Sequence, residues 1–169
     1  MVLKVIIRDY KENDWPEVKN LILIAKNFGT PFLEEEKRRI SLCKTFPEFV
    51  KVFIAEIPTT KEIVGYSTIE IRWRSLVIMS IITHHNYLRK GIGKQIMDKI
   101  IEIGERLPEI NVVRVDAGDF MNYAQQFYLS YGFQISGFVS HDLSWFNHQV
   151  HFAYPLKGVE KKVGFRERG

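Results

Sequence analysis

The chain has 169 residues, 46% hydrophobic, 26% charged and 13% aromatic, with 24 Lys and Arg against 20 Asp and Glu and a formal net charge of +4. That length suits one domain that buries its own core, the single Cys43 excludes an intramolecular disulfide scaffold, and the supply of aromatic and branched side chains argues against disorder. No apolar run approaches the roughly 20 residues of a membrane helix, and the opening Met1-Val-Leu-Lys-Val-Ile-Ile-Arg carries charge inside its apolar stretch and no small-residue cleavage site, so a cytoplasmic globular domain without membrane partners is expected.

Val2 to Ile7 is β-branched and reads as a first strand. Pro16 fits the first turn of a helix, with Asp14 or its neighbour as cap and Glu17 favourable beside the helix dipole. Val18, Leu21, Ile22, Ile24 and Ala25 form its apolar stripe, which stops at Phe28-Gly29. A second helix follows Pro31 to near Cys43, and its run Glu34-Glu35-Glu36-Lys37-Arg38-Arg39 reads as a solvated face. Strands are expected over Val50–Ile57 and Ile63–Ile71, joined by a turn at Pro58-Thr59-Thr60-Lys61. Ile69, Ile71 and Trp73 alternate with Glu70, Arg72 and Arg74, and Leu76 to Ile82 is apolar enough for a central strand.

Helical spacing returns at Ile92, Ile96, Met97, Ile100, Ile101 and Ile103, closing near Pro108. Val112–Val115 is a strand, and Tyr123–Tyr131 is a helix stopped by Gly132, a residue suited to a left-handed C-terminal position. Strands near Phe133–Val139 and His148–Tyr154 complete one α/β domain with a mixed sheet. The basic tail from Lys157 lacks apolar periodicity and is expected to be mobile.

Leu88-Arg89-Lys90-Gly91-Ile92-Gly93-Lys94 lies between the buried strand and the amphipathic helix. Amides at a helix start, with glycines that admit close approach, form an anion site, and Arg89, Lys90 and Lys94 add positive charge. The bland alternative is a tight strand-to-helix turn. A Walker A loop is excluded by Leu88 and Gln95, a dinucleotide fingerprint by bulky Ile96, and a KH loop by the single residue between Gly91 and Gly93.

Downstream, Ala124, Phe127, Tyr128, Gly132 and Phe133 fit an Ala-x-x-Phe-Tyr-x-x-x-Gly-Phe pattern. Together with the glycine loop, this segment resembles the GNAT superfamily of acyl-CoA-dependent N-acyltransferases, and the order of elements is similar along residues 1–156. The resemblance implies a mostly antiparallel mixed sheet with helices on both faces and splayed fourth and fifth strands that receive acetyl-CoA as co-substrate, with no metal. It implies that Leu88, Arg89, Lys90, Gly91, Ile92, Gly93 and Lys94 wrap the pyrophosphate. Ile81, Ile82 and Thr83 would offer backbone groups to the pantetheine arm, Asn122 would add a hydrogen bond, and Tyr128 would protonate the departing thiolate. The alternative for Tyr128 is a helix aromatic packed in the core, its hydroxyl bound to a carbonyl.

Three positions depart from the pattern. Leu88 replaces a Gln or Arg, Met121 takes the usual Asn position with Asn122 one residue late, and Ser80 stands where many members carry a glutamate that helps deprotonate the amine. The candidates for a base are Glu70, His84, His85 and a water held by Ser80. Glu70 also reads as a surface charge paired with Arg72 or Arg74, and the two histidines as capping or solvated groups. Without further ligands they make a poor metal site.

The leading expectation is an acyltransferase moving an acetyl group from acetyl-CoA to a primary amine in a ternary complex, the acceptor being a small molecule or a peptide. Glu34 to Glu36 near the acceptor side would suit a cationic amine. A CoA-binding module without transferase activity is the alternative, and a homodimer is left open. A nucleic-acid binder would have to use Lys161, Lys162, Arg166 and Arg168, and no RNA-module motif supports it.

Overall fold

The computed structural model describes residues 2–25, 30–143 and 146–157, side chains at 30 and 140–147 excepted. The helix stop expected at Phe28-Gly29 and the tail carrying Lys161, Lys162, Arg166 and Arg168 lie outside the described residues. Seven strands follow the order β1-β2-β3-β4-β5-β7-β6 in a mixed, mostly antiparallel sheet. The chain forms two compact units, one holding the described residues up to Arg72 together with Val77–Ile100, the other Trp73–Leu76 together with the described residues from Ile101 on. No helix among the described residues is long and apolar enough to cross a membrane.

In the first unit, β1 (Ile6–Asp9) pairs with β2 (Val50–Glu56), and β2 with β3 (Ile63–Arg72), both antiparallel. The expected strand over Val2–Ile7 is displaced to Ile6–Asp9 because backbone groups ahead of it are otherwise engaged: Leu3 N–H donates to the Lys90 carbonyl (2.9 Å) and Val5 N–H to Gln95 Oε1 (3.2 Å). Helix α1 (Trp15–Ile24) begins with Pro16 in its first turn, as the sequence predicts, and buries Val18, Leu21 and Ile22. Ile24, expected in that stripe, is exposed. Asp14 stands at the cap position but makes no side-chain cap bond. Its carboxylate instead takes both terminal nitrogens of Arg8 (2.8 Å each) and the Lys11 amide (2.7 Å). Burial pushes the Asp14 pKa up, but the Arg8 pair and the Lys11 amide outweigh it and hold the carboxyl below its ordinary value.

Helix α2 (Thr30–Thr45) packs Leu33 and Ile40 into a core with Val18, Leu21, Ile22, Ile54 and Tyr66. Cys43 is half-buried against this core, and burial raises its thiol pKa. β4 (Ser75–Thr83) is the fourth of seven strands, so the central position expected from its sequence holds. Its residues nevertheless alternate, with Leu76, Ile78, Ser80 and Ile82 buried and those between them partly exposed. Trp73 does not continue the β3 alternation. β3 ends at Arg72, and Trp73 sits in the following turn, 90% exposed. Helix α3 (Ile92–Arg106) buries Ile92, Ile96, Met97 and Ile100, each burial contributing about 1.5–3 kcal/mol.

In the second unit, β7 (Phe146–Pro155) lies between β5 (Val112–Gly118) and β6 (Gln134–Leu143), antiparallel to both. The Asn111 N–H donates to the Arg74 carbonyl at 2.9 Å, tying the start of β5 to the turn before β4. Helix α4 (Asn122–Tyr131) ends where the sequence predicts, at Gly132 with φ of 117°.

Candidate functional site

The residues singled out by the sequence fall in both units and are described within each. In the first, β4 ends at Thr83 and the chain passes through a 3-10 turn, His85–Tyr87, into Leu88–Lys94. Arg89 (φ 60°) and Gly91 (φ 76°) both adopt the left-handed conformation. A Cβ at 91 would also approach Val2 Cγ1 to 3.0 Å, so glycine is required there on two counts. The first intrahelical bond of α3 is Gln95 N–H to the Gly91 carbonyl (3.2 Å), which leaves the amides before it without an intrahelical acceptor. Ile92 is buried and anchors the turn, while Leu88, Arg89, Lys90 and Lys94 are exposed. Lys90 Nζ stands 4.8 Å over the Tyr87 ring. Lys94 is engaged by Asp98 at 2.7 Å, so part of the positive charge expected at the loop is spent within the helix. A diphosphate fits this donor set: helix-start amides, two glycines and flanking cations.

Gln95 belongs to the same local structure. Its Nε2 donates to the Leu3 carbonyl (2.7 Å) and to the Gly91 carbonyl (3.2 Å), while its Oε1 accepts the Val5 amide. Sequence reasoning used Gln95 only to exclude a Walker loop. Two of its partners, Leu3 and Val5, are about ninety residues away, which no local pattern reveals.

Ser80 shows the largest departure from expectation. Its hydroxyl lies 3.1 Å from Glu36 Oε2 and 2.7 Å from Thr68 Oγ1, and it accepts the Thr68 amide (3.2 Å). Glu36 is fully buried, and the same Oε2 takes Tyr66 O–H (2.8 Å) and Thr68 O–H (3.1 Å), while Oε1 pairs with Arg39. The run from Glu34 to Arg39 is therefore not a uniform solvated face. Glu34 and Glu35 pair with Lys37 and Arg38 on the surface, whereas Glu36 and Arg39 point into the core. Glu36 is thereby withdrawn from an acidic lining for an acceptor, while Glu34 and Glu35 remain on the surface. Burial, followed by the Glu36 charge, raises the Tyr66 pKa well above its ordinary value.

Glu70 is tied to Arg72 (Nε at 2.8 Å), as the sequence suggests, and lies 3.5 Å from Arg39 Nε, with only 14% of its side chain exposed. His84 Nδ1 accepts the Asn86 amide (3.2 Å), and its ring stacks on His85 at 4.5 Å. His84 also closes a groove of about 250 Å³ with Glu62 and Ile63, beneath Glu17, Asn20, Leu21 and Ile24 of α1. Glu62 accepts the Tyr87 hydroxyl at 2.7 Å. No lysine or arginine lines this groove. Among the described residues no group of three His, Cys, Asp or Glu side chains is placed to hold a metal.

In the second unit, Asn122 is exposed in the first turn of α4. Tyr128 is buried, its ring set against Phe127 (5.6 Å), Phe133 (5.8 Å) and Phe152 (5.6 Å). Burial, and then the Asp116 carboxylate, raise its pKa, so the phenol holds its proton throughout the neutral range. Asp116 in turn lies opposite His151 across β5 and β7, with Nδ1 at 2.5 Å from Oδ1.

A mixed sheet whose fourth strand runs through a glycine turn into an amphipathic helix is the arrangement that the sequence resemblance implies. The chain belongs to the GNAT family: the acetyltransferase (GNAT) domain matches residues 48–135. Among solved structures, a GNAT-family protein from Desulfovibrio desulfuricans aligns with a TM-score of 0.79 at 11% identity, over 90% of this chain and 99% of that one. The spermidine/spermine N-acetyltransferase SpeG from Vibrio cholerae aligns at 0.70 and 15% identity, over 95% and 97%. A GNAT acetyltransferase from Elizabethkingia anophelis with acetyl-CoA bound aligns at 0.68 and 14%, over 90% and 98%. No curated protein matches the chain by sequence.

Proposed function

We propose that the protein transfers an acetyl group from acetyl-CoA to a primary amine by direct attack in a ternary complex. The observation that carries this reading is the loop at Arg89–Lys94, whose two left-handed residues lead into the helix-start amides of α3 beside exposed Arg89 and Lys90. The acetyl-CoA bound in the Elizabethkingia relative supports the choice of co-substrate. Arg89, Lys90, Gly91, Ile92, Gly93 and Lys94 would hold the pyrophosphate, and Ile81, Ile82 and Thr83 the pantetheine arm.

Tyr128 is the proposed acid. Its proton is retained at neutral pH, so Tyr128 enters the reaction as the donor. As the neutral amine attacks, a C–N bond forms and the C–S bond breaks. The thiolate takes the phenol proton, and the nitrogen returns one to the phenolate. Holding amine and thioester together supplies much of the acceleration.

On the acceptor side, the groove under α1 carries Glu17 and Glu62 and no lysine or arginine, which suits a cationic amine. The spermidine and spermine substrates named for the Vibrio relative support that choice. The test is acceptor-dependent release of free CoA thiol over a panel of polyamines, lysine derivatives and peptides, repeated with Tyr128→Phe. Turnover on cationic amines that falls about 10²-fold or more in Tyr128→Phe, with acetyl-CoA affinity retained, is the expected outcome. Unchanged turnover removes Tyr128 from the acid role, and acetyl-CoA binding without any acceptor-dependent thiol release favours a binding module.

A further inference from the structure

We infer that Gln95 is a positioning residue that aims the pyrophosphate-binding amides by strapping the N-terminal segment to the glycine loop. The inference rests on the acetyl-CoA reading above and extends it to a side chain outside the loop itself. In a planar trans peptide the carbonyl and the following N–H point in opposite directions, and the described residues contain no cis peptide bond. The Lys90 carbonyl is held by the Leu3 amide (2.9 Å), which turns the Gly91 N–H the other way. The Gly91 carbonyl is held twice, by the Gln95 backbone amide and by its side-chain Nε2, both at 3.2 Å, which likewise directs the Ile92 N–H.

The strap closes through Gln95, which donates to the Leu3 carbonyl and accepts the Val5 amide, fixing the segment that supplies the Leu3 bond. Such a clamp is needed because the loop does not lie in an intrinsically favoured conformation. Arg89 at φ of 60° pays a steric cost that glycine would not, and only surrounding contacts hold it there. With the strap removed, the two carbonyls are free to rotate and carry the amides out of line with a bound diphosphate.

The test compares two probes, one with and one without the group the loop would hold. Acetyl-CoA carries the pyrophosphate and the nucleotide beyond it, and S-acetyl-pantetheine lacks both; the nucleotide's own share is common to the two proteins and drops out of the comparison between them. Dissociation constants for both are measured by calorimetry on the full chain and on Gln95→Leu, with competition against acetyl-CoA for the weaker probe. The expected result is a loss of about tenfold in the preference for acetyl-CoA over S-acetyl-pantetheine, the size of one misaligned hydrogen bond to a charged group. A purely structural role lowers both affinities alike and leaves that preference unchanged, which overturns the inference. Gln95→Met, close in length, replaces Gln95→Leu if the latter does not fold, and the same two outcomes decide. Failure of the unaltered protein to bind acetyl-CoA overturns the functional reading itself, a different result from binding that Gln95 does not affect.

Discussion

Replacing Glu36 with alanine tests the buried network under Ser80. The carboxylate is fully buried and is met by the Arg39 guanidinium, the Tyr66 hydroxyl and the mutually bonded Thr68 and Ser80 hydroxyls, one of which donates to the other. Thr68 and Ser80 still have each other at 2.7 Å after the change, so their share of the loss is small. Arg39 keeps a buried charge whose Nε already lacks a hydrogen-bond partner, with Glu70 at 3.5 Å and the more exposed Glu35 at 3.7 Å as its remaining anions. Removing one member of a buried pair costs about 3–5 kcal/mol, and a chain of this size loses about 2–4 °C in Tm per kcal/mol. Glu36→Ala is therefore expected to melt about 6–20 °C lower by calorimetry or circular dichroism. Glu36→Leu with Arg39→Met removes both charges, and the pair is expected to lose clearly less than the sum of the single changes. A drop below about 2 °C for Glu36→Ala, or strict additivity in the double variant, refutes the reasoning.

The remaining expectations concern the frame. Asp14 is held below its ordinary pKa in the folded protein, so its contribution is present above the unfolded value, about 3.9, and is lost as pH falls through the folded value. Melting followed from pH 7 to pH 3 should thus show a steeper acid loss in the unaltered chain than in Asp14→Asn, and parallel curves would contradict the Arg8 pairing. Gly65→Ala should destabilise by about 1–3 kcal/mol, because its Cβ would lie 2.9 Å from both Ala55 Cβ and Ile96 Cδ1; denaturant unfolding with an unchanged midpoint would show that α3 can shift at no cost.

Periodicity makes most of the frame legible in the sequence. The stripes of α1 and α3, the glycine stop after α4 and the strand order of the chain need only local spacing and turn chemistry. The glycine loop and Tyr128 are legible for the same reason, since their motifs are contiguous. Glu36 is misread because charge normally marks a wet face, yet a signal exists. Leu33 and Ile40, both buried, are one heptad apart on α2 and place position 36 on the inward side between them. Its partners Tyr66, Thr68 and Ser80 lie 30 to 44 residues downstream, so the compensation that makes burial tolerable is written in the tertiary structure alone. Val2–Val5 is misread for a similar reason: β-branched residues favour extended backbone, but propensity does not choose the partner, and here Lys90 and Gln95 take the place of a sheet edge.

The seating of Val2 against Gly91 couples two distant stretches of sequence. A Cβ at 91 would stand 3.0 Å from Val2 Cγ1, so the room over the turn is set by the side chain at position 2 as well as by the glycine. A larger residue at position 2 would press on the turn much as a larger residue at 91 would, and a change at either position is felt at the other.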